Sequence, residues 1–184
     1  MSSEVEICNL ALQELGAKRI TSLDDDTKNA KHCKAAYAKV RDIELRKYVW
    51  NFSIGRVVLA PDVATPAFDF DLQFSLPSDC LRVIRPKDVD WEVSGRKILT
   101  SEGTILNLKY VIQVTDTNQF DINYIDVLSK ALALKLTEVI TQSNTKKSAL
   151  QAMYKDAVKE AKHANAFEKL SEEPPEDTWI TARL

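Results

Sequence analysis

The chain of 184 residues carries 25 basic and 27 acidic side chains, a formal net charge of −2, so bulk electrostatics gives no case for nucleic-acid or membrane binding. Its length fits one domain, or one with a smaller insert, and 45% hydrophobic with 28% charged residues is an ordinary globular mix. The longest apolar runs are too short to cross a bilayer, and the polar, acidic start argues against a signal peptide.

Ser3 with Glu6 three residues later predicts a capping box. Val5, Cys8, Leu12 and Leu15 then repeat at steps of three and four, and Gly16 stops the pattern. This is a helix over about residues 4–15. Asp24-Asp25-Asp26-Thr27 lacks the alternating acids, glycine and distal glutamate of a calcium loop. It reads as the N-cap of a second helix, with acids at the positive end of the dipole. That helix runs over about 28–48, with Ala30, Cys33, Tyr37 and Val40 as its buried stripe, extended by Ala36 and Ile43. Its outer face is basic: Lys28, Lys31, Lys34, Lys39, Arg41, Arg46 and Lys47, against Asp42 and Glu44.

The period changes over Arg46–Leu59, with Trp50 and Phe52 at the switch. The two aromatics are expected to pack where a helical and a β part meet. The β part spans about 52–116. Val57-Val58-Leu59 reads as a strand, and Pro61 to Pro66 as a loop. Phe68, Phe70, Leu72, Phe74 and Leu76 alternate strictly with polar residues. Residues 81–85 form a further strand, 91–100 a hairpin around Gly95, and 106–114 a last alternating strand. About five mostly antiparallel strands are expected, with helices covering one face.

A third helix over about 121–142 is apolar on most sides and therefore central. It carries Ile125, Leu128, Leu132, Leu136 and Val139, widened by Val127, Ala131 and Leu134. A fourth over about 146–169 buries Leu150, Met153, Ala157, Val158, Ala161 and Ala164. Residues 171–177 are acidic, proline-rich and without periodicity, so an extended tether is expected. Trp179, Ile180, Arg183 and Leu184 at its far end do not read as a free tail; they are expected either to fold back on the parent domain or, as residue types favoured at hot spots, to anchor on another subunit. The predicted architecture is α+β: a four-helix bundle (1–50 and 117–170) with an inserted small antiparallel β domain (51–116) and an extended C-terminal docking tail (171–184).

Chemistry-bearing patterns are sparse. Cys8, Cys33 and Cys80 are odd in number and widely spaced, which predicts buried thiols in a reducing compartment rather than disulfides or a zinc site. His32 and His163 lack a partner at helical spacing. There is no dinucleotide fingerprint, phosphate loop or nucleophile elbow. Neither a catalytic residue, a metal ligand nor a cofactor is expected.

The ordered patterns resemble a known family. Asn9-Leu10-Ala11-Leu12 with Leu15-Gly16 opens the set, followed by Ile20-x-Ser22-Leu23-x-Asp25. Ala30-x-x-Cys33-x-x-x-Tyr37-x-x-x-Arg41-x-x-x-Leu45 then leads to Trp50-Asn51-Phe52. Leu76-Pro77-x-Asp79-Cys80-Leu81-Arg82, Gly95-Arg96-x-Ile98, Ala131-Leu132-Ala133 and Trp179-x-x-x-Arg183 complete it. This set is similar to the tail tubular protein A, or head-to-tail adaptor, family of short-tailed bacteriophages, nearly end to end. The resemblance implies a homo-oligomeric ring, usually of twelve subunits, between the portal protein and a tail nozzle of the tail tubular protein B type. It implies a channel through which phage DNA passes without sequence recognition, with no membrane partner. It implies residence in the virion tail after assembly in the host bacterial cytoplasm. On this reading Trp179, Ile180, Arg183 and Leu184 anchor the subunit, and Lys28, Lys31, Lys34, Lys39 and Arg41 offer a charged face to a neighbour. The alternatives are a monomeric αβ protein-binding module and a tail-associated cell-wall hydrolase; no residues present a pattern for hydrolysis.

Overall fold

The computed structural model describes residues 3–86 and 89–168. Helix α1 covers Glu4–Leu15; the Ser3 side chain accepts from Glu6 N–H at 3.1 Å. It ends in a Schellman motif: Gly16, at φ 68°, donates to Gln13 O, and Ala17 donates to Leu12 O, both at 2.9 Å. The connection to the next helix is held by Asn9, whose amide donates to Ile20 O at 2.9 Å and accepts from Ile20 N at 2.8 Å. A buried asparagine thus satisfies both backbone groups of one loop residue.

Helix α2 covers Lys28–Lys47 and is capped by Thr27, which accepts from Ala30 N at 3.2 Å. Helix α3 (Ile122–Ile140) and helix α4 (Asn144–Phe167) follow the β segment. Helix α3 is the hub on which α1, α2 and α4 all pack. Its apolar girth explains this: Tyr124, Val127, Leu128, Ala131, Leu132 and Leu136 are all buried. The stripes differ from expectation in places, with Ala36, Ile125 and Leu134 among the half-buried positions. Ile43, Val139 and Met153 are about two-fifths exposed, and Ala164 is only half-buried.

Among the described residues six strands form two three-stranded antiparallel sheets, not the roughly five strands of one sheet that alternation suggests. One sheet has the order β1 (Ile54–Leu59), β6 (Leu106–Ile112), β3 (Cys80–Arg85). The other has the order β2 (Leu72–Ser75), β5 (Lys97–Thr100), β4 (Glu92–Ser94). Among the described strands β4 and β5 form a tight hairpin, and the other pairings join strands distant in sequence. The hairpin loop is Gly95-Arg96, with Gly95 at φ 60°, a conformation glycine supplies without strain. Strand β1 pairs with β6, from the far end of the segment, in the register Gly55↔Tyr110. The alternating run 68–76 is strand only from Leu72 onward. Before it, Asp69 adopts φ 69° and Phe68 lies 76% exposed, so the period-2 pattern belongs to a loop there.

Successive residues of β6 face opposite ways. Val111 joins the large helical core. Leu106, Leu108 and Tyr110 join a smaller core with Phe74, Cys80 and Ile98, which draws on both sheets. The β1–β6–β3 sheet is therefore the middle layer between the helices and the second sheet. Gly55 is required there: a Cβ would lie 2.7 Å from Ile112 Cγ1 and 2.9 Å from Tyr110 Cε1.

Candidate functional site

Hydrogen bonds from three distant parts of the chain meet at the C-terminal end of α2. The last carbonyls of a helix run out of helical partners, and here side chains from elsewhere reach them. Arg82 donates to Lys47 O at 3.2 Å, and the Trp50 indole donates to Glu44 O at 3.1 Å. Arg46 returns a bond to Leu81 O. Trp50 is fully buried and meets Tyr124 edge-on, with ring centroids 5.4 Å apart. Phe52 meets Phe120 at 5.9 Å and Tyr124 at 5.1 Å. The two chain crossings, at Trp50-Asn51-Phe52 and at Phe120, therefore touch. Asn51 adds a third strand of contact. Its backbone N donates to Asn165 Oδ1 and its amide to Asn165 O, both at 2.8 Å, while Asn165 donates to Val49 O at 3.1 Å. This exchange ties the end of α4 to the crossing.

The basic face of α2 divides. Lys28, Lys31, Lys34 and Lys39 are exposed. Lys34 pairs with Asp24 at 2.6 Å and Lys31 pairs with Asp26, so the acidic loop offsets part of the charge. Asp25 turns back on the loop and accepts from Thr21 N at 2.9 Å and Ser22 N at 3.1 Å. Those backbone donors hold its carboxyl below the usual carboxylate range. Arg41 does not belong to the outer face. It is 6% exposed, with Nε donating to Asp42 Oδ1 at 2.9 Å, and Asp42 accepts from Gln113 of the β segment at 2.7 Å. Glu44, placed outside by its charge, is 2% exposed. The signal was positional: Arg41 stands four residues after Tyr37 and Glu44 four after Val40, both on the buried stripe.

Glu44 forms the floor of a feature that sequence reasoning missed. Its two oxygens accept from Lys47 Nζ at 2.5 Å and from Tyr154 Oη at 2.7 Å. Lys47 also stands over the Tyr154 ring, 5.3 Å from its centroid. Burial, then the hydrogen bond to Glu44, pushes the Tyr154 phenol up, so it stays the donor. These side chains open onto a groove of about 350 Å³ between α2, α3 and α4. Glu44 and Lys47 lie three positions apart on α2, but Tyr154 comes from α4, 110 positions from Glu44, so no local spacing announces the site.

Cys8, Cys33 and Cys80 are buried free thiols. Cys8 keeps its proton through its hydrogen bond to Cys33 and through burial. Among the described residues no group of three or more His, Cys, Asp or Glu side chains converges as a metal would require. No described helix is long and apolar enough to cross a membrane. The anchor residues Trp179, Ile180, Arg183 and Leu184 lie outside the described residues. No family model matches the sequence, and no curated protein is significantly similar to it.

Proposed function

We propose that this chain is the head-to-tail adaptor of a short-tailed bacteriophage, a structural subunit of a ring that joins portal to nozzle and continues the DNA channel. On this reading the helices act as a four-helix bundle, residues 51–116 as an inserted β domain, and the tail from residue 171 as the anchor. The observation that carries the reading is the ordered motif set from Asn9 to Arg183. What supports it is the role those motif residues take. Asn9 fixes the loop at Ile20, Trp50 and Phe52 fill the crossing, Arg82 reaches α2, and Arg96 donates to Pro77 O at 2.5 Å. Trp50, Phe52 and Arg82 link the helices to the β segment, and Asn9 and Arg96 fix turns within each; a ring subunit must hold such geometry constant when identical interfaces close. Exposed lysines on α2 and the apolar loop residues Val63 and Phe68 supply surfaces for neighbour and nozzle.

The test is electron microscopy of the purified chain, alone and mixed with the portal protein of the same phage. Rings seated on the portal are expected. A chain that stays monomeric at every concentration and never binds portal would refute the adaptor. In the full chain, Trp179→Ala with Ile180→Ala should lower portal binding by at least tenfold.

A further inference from the structure

We infer that in the free chain, before any partner takes the tail, the groove between α2, α3 and α4 receives this chain's own C-terminal segment, folded back within one molecule, with Trp179 and Ile180 on its apolar wall. The inference does not depend on the adaptor reading. The groove has room for a large aromatic and an aliphatic neighbour, about 350 Å³, and its wall is Val40, Ile43, Ala131 and Leu134. Ile43 is 43% exposed there, an aliphatic surface that nothing among the described residues covers.

Reach and charge select the occupant. Helix α4 ends beside the C-terminal end of α2, where Asn51 donates to Glu168 at 3.0 Å. From Glu168 back to Tyr154 is about 21 Å of helix, and to Lys147 about 31 Å, at the helical rise per residue. Eleven extended residues to Trp179 span about 36 Å, which is enough to run back along α4 into the groove. The path between is aromatic and carries Lys162 as a cation, Lys47 being already paired with Glu44. Lys162 stands over Tyr48 at 5.1 Å, and Lys47 over Tyr154. Glu172, Glu173, Glu176 and Asp177 precede Trp179, so the acids pass Lys162 before the apolar end arrives. At the groove, Lys135 and Lys147 stand on the rim, with Glu138 the opposing carboxylate, 3.6 Å from Lys147. An amphipathic site with a basic approach matches a segment that is acidic first and apolar last.

The experiment uses the full chain carrying Ile43→Cys and Ile180→Cys, oxidised by diamide and mapped by mass spectrometry of its peptides. The native cysteines are buried, and Ile43 is exposed enough to accept the change. A 43–180 disulfide within one chain is expected as the main product. Its yield should fall severalfold at 0.5 M salt and on adding Lys135→Glu with Lys147→Glu. A yield no greater than that of a Val63→Cys, Ile180→Cys pair, whose first position lies on the exposed β-segment loop, overturns the inference. So does a disulfide found only between two chains, which would assign the groove to another copy's tail.

Discussion

The two ends of α2 are built in opposite ways. At the N-terminal end every partner comes from the preceding loop: Thr27 caps the helix, and Asp24 and Asp26 pair with Lys34 and Lys31. All of these groups are exposed, and the chain separation is ten residues or fewer. At the C-terminal end the partners come from β3, from α3 and from α4. Arg82 lies 35 positions from the carbonyl it caps, Tyr124 donates to Arg41 O across 83 positions, and Tyr154 reaches Glu44 across 110. The first end is a local device, built from neighbours in sequence. The second exists only when the whole chain is folded, and it is the point through which the β segment is held.

The largest expected effect lies at that second end. Trp50→Ala removes a fully buried indole, its edge-on contacts with Tyr48 and Tyr124, and its bond to Glu44 O. A loss of about 3–5 kcal/mol is expected for a large aromatic cut to alanine in a core. Chemical denaturation read at two wavelengths, one for helix and one for tertiary contacts, should give coincident transitions displaced together. If only the tertiary signal moves and helix content holds, the crossing is not what couples the two parts.

The same end predicts a response to alkali. Tyr124 is fully buried, and burial pushes its phenol well above the ordinary value near 10, with the Glu44 carboxylate adding to it. The unfolded chain therefore loses this proton first as pH rises. Stability contributed by the neutral phenol is complete below pH 10 and declines above it, by about 1.4 kcal/mol per pH unit for a single group. Urea midpoints measured at pH 9, 10 and 11 should fall between the last two. Tyr124→Phe should flatten the fall. An unchanged slope in that variant would assign the alkaline loss to other groups, such as buried Tyr37, whose phenol is also pushed up by burial.

The contrast between the ends also marks what could be read from the residues. Helix bounds, the Ser3 and Thr27 caps, the Gly16 stop and the Gly95 hairpin depend on neighbours within a few positions, and the structure agrees with them to within two residues. Strand pairing does not. Nothing near β1 states that its partner is β6, and the alternation of 68–76 could not disclose that Asp69 turns the chain at φ 69°. The groove was illegible for the same reason. Arg41 and Glu44 failed differently: their periodicity marked them as inward, but their charge suggested solvent. Burial was possible because Asp42, Lys47 and Tyr154 stand ready to pair with them.

At the N-terminal end, effects should be smaller and additive with those of Trp50, since the sites share no partner. Thr27→Ala deletes the oxygen that accepts from Ala30 N and should cost about 1 kcal/mol. Thr27→Asn or Thr27→Asp should restore most of it, because either supplies a cap oxygen. A Thr27→Ala loss as large as that of Trp50→Ala would mean that the acidic loop is bound into the core and that the two ends are not distinct in kind.

The smallest effect is expected at Lys34. Its pair with Asp24 is close, 2.6 Å, but the two side chains are 62% and 79% exposed. Water and salt screen such a pair, and ordering two mobile side chains offsets much of the Coulomb gain. Lys34→Ala should therefore cost about 0–1 kcal/mol at low salt and nothing measurable at 0.5 M. Asp24→Ala should behave alike, and the double variant should be no worse than the sum. The pair still has a consequence for the exposed face. Breaking it from the Asp24 side leaves Lys34 uncompensated and raises the positive charge of α2 without touching its fold. If that face meets an acidic neighbour, Asp24→Ala should speed association at low salt while Lys34→Ala slows it. Identical changes in rate from both variants would take the α2 lysines out of any interface.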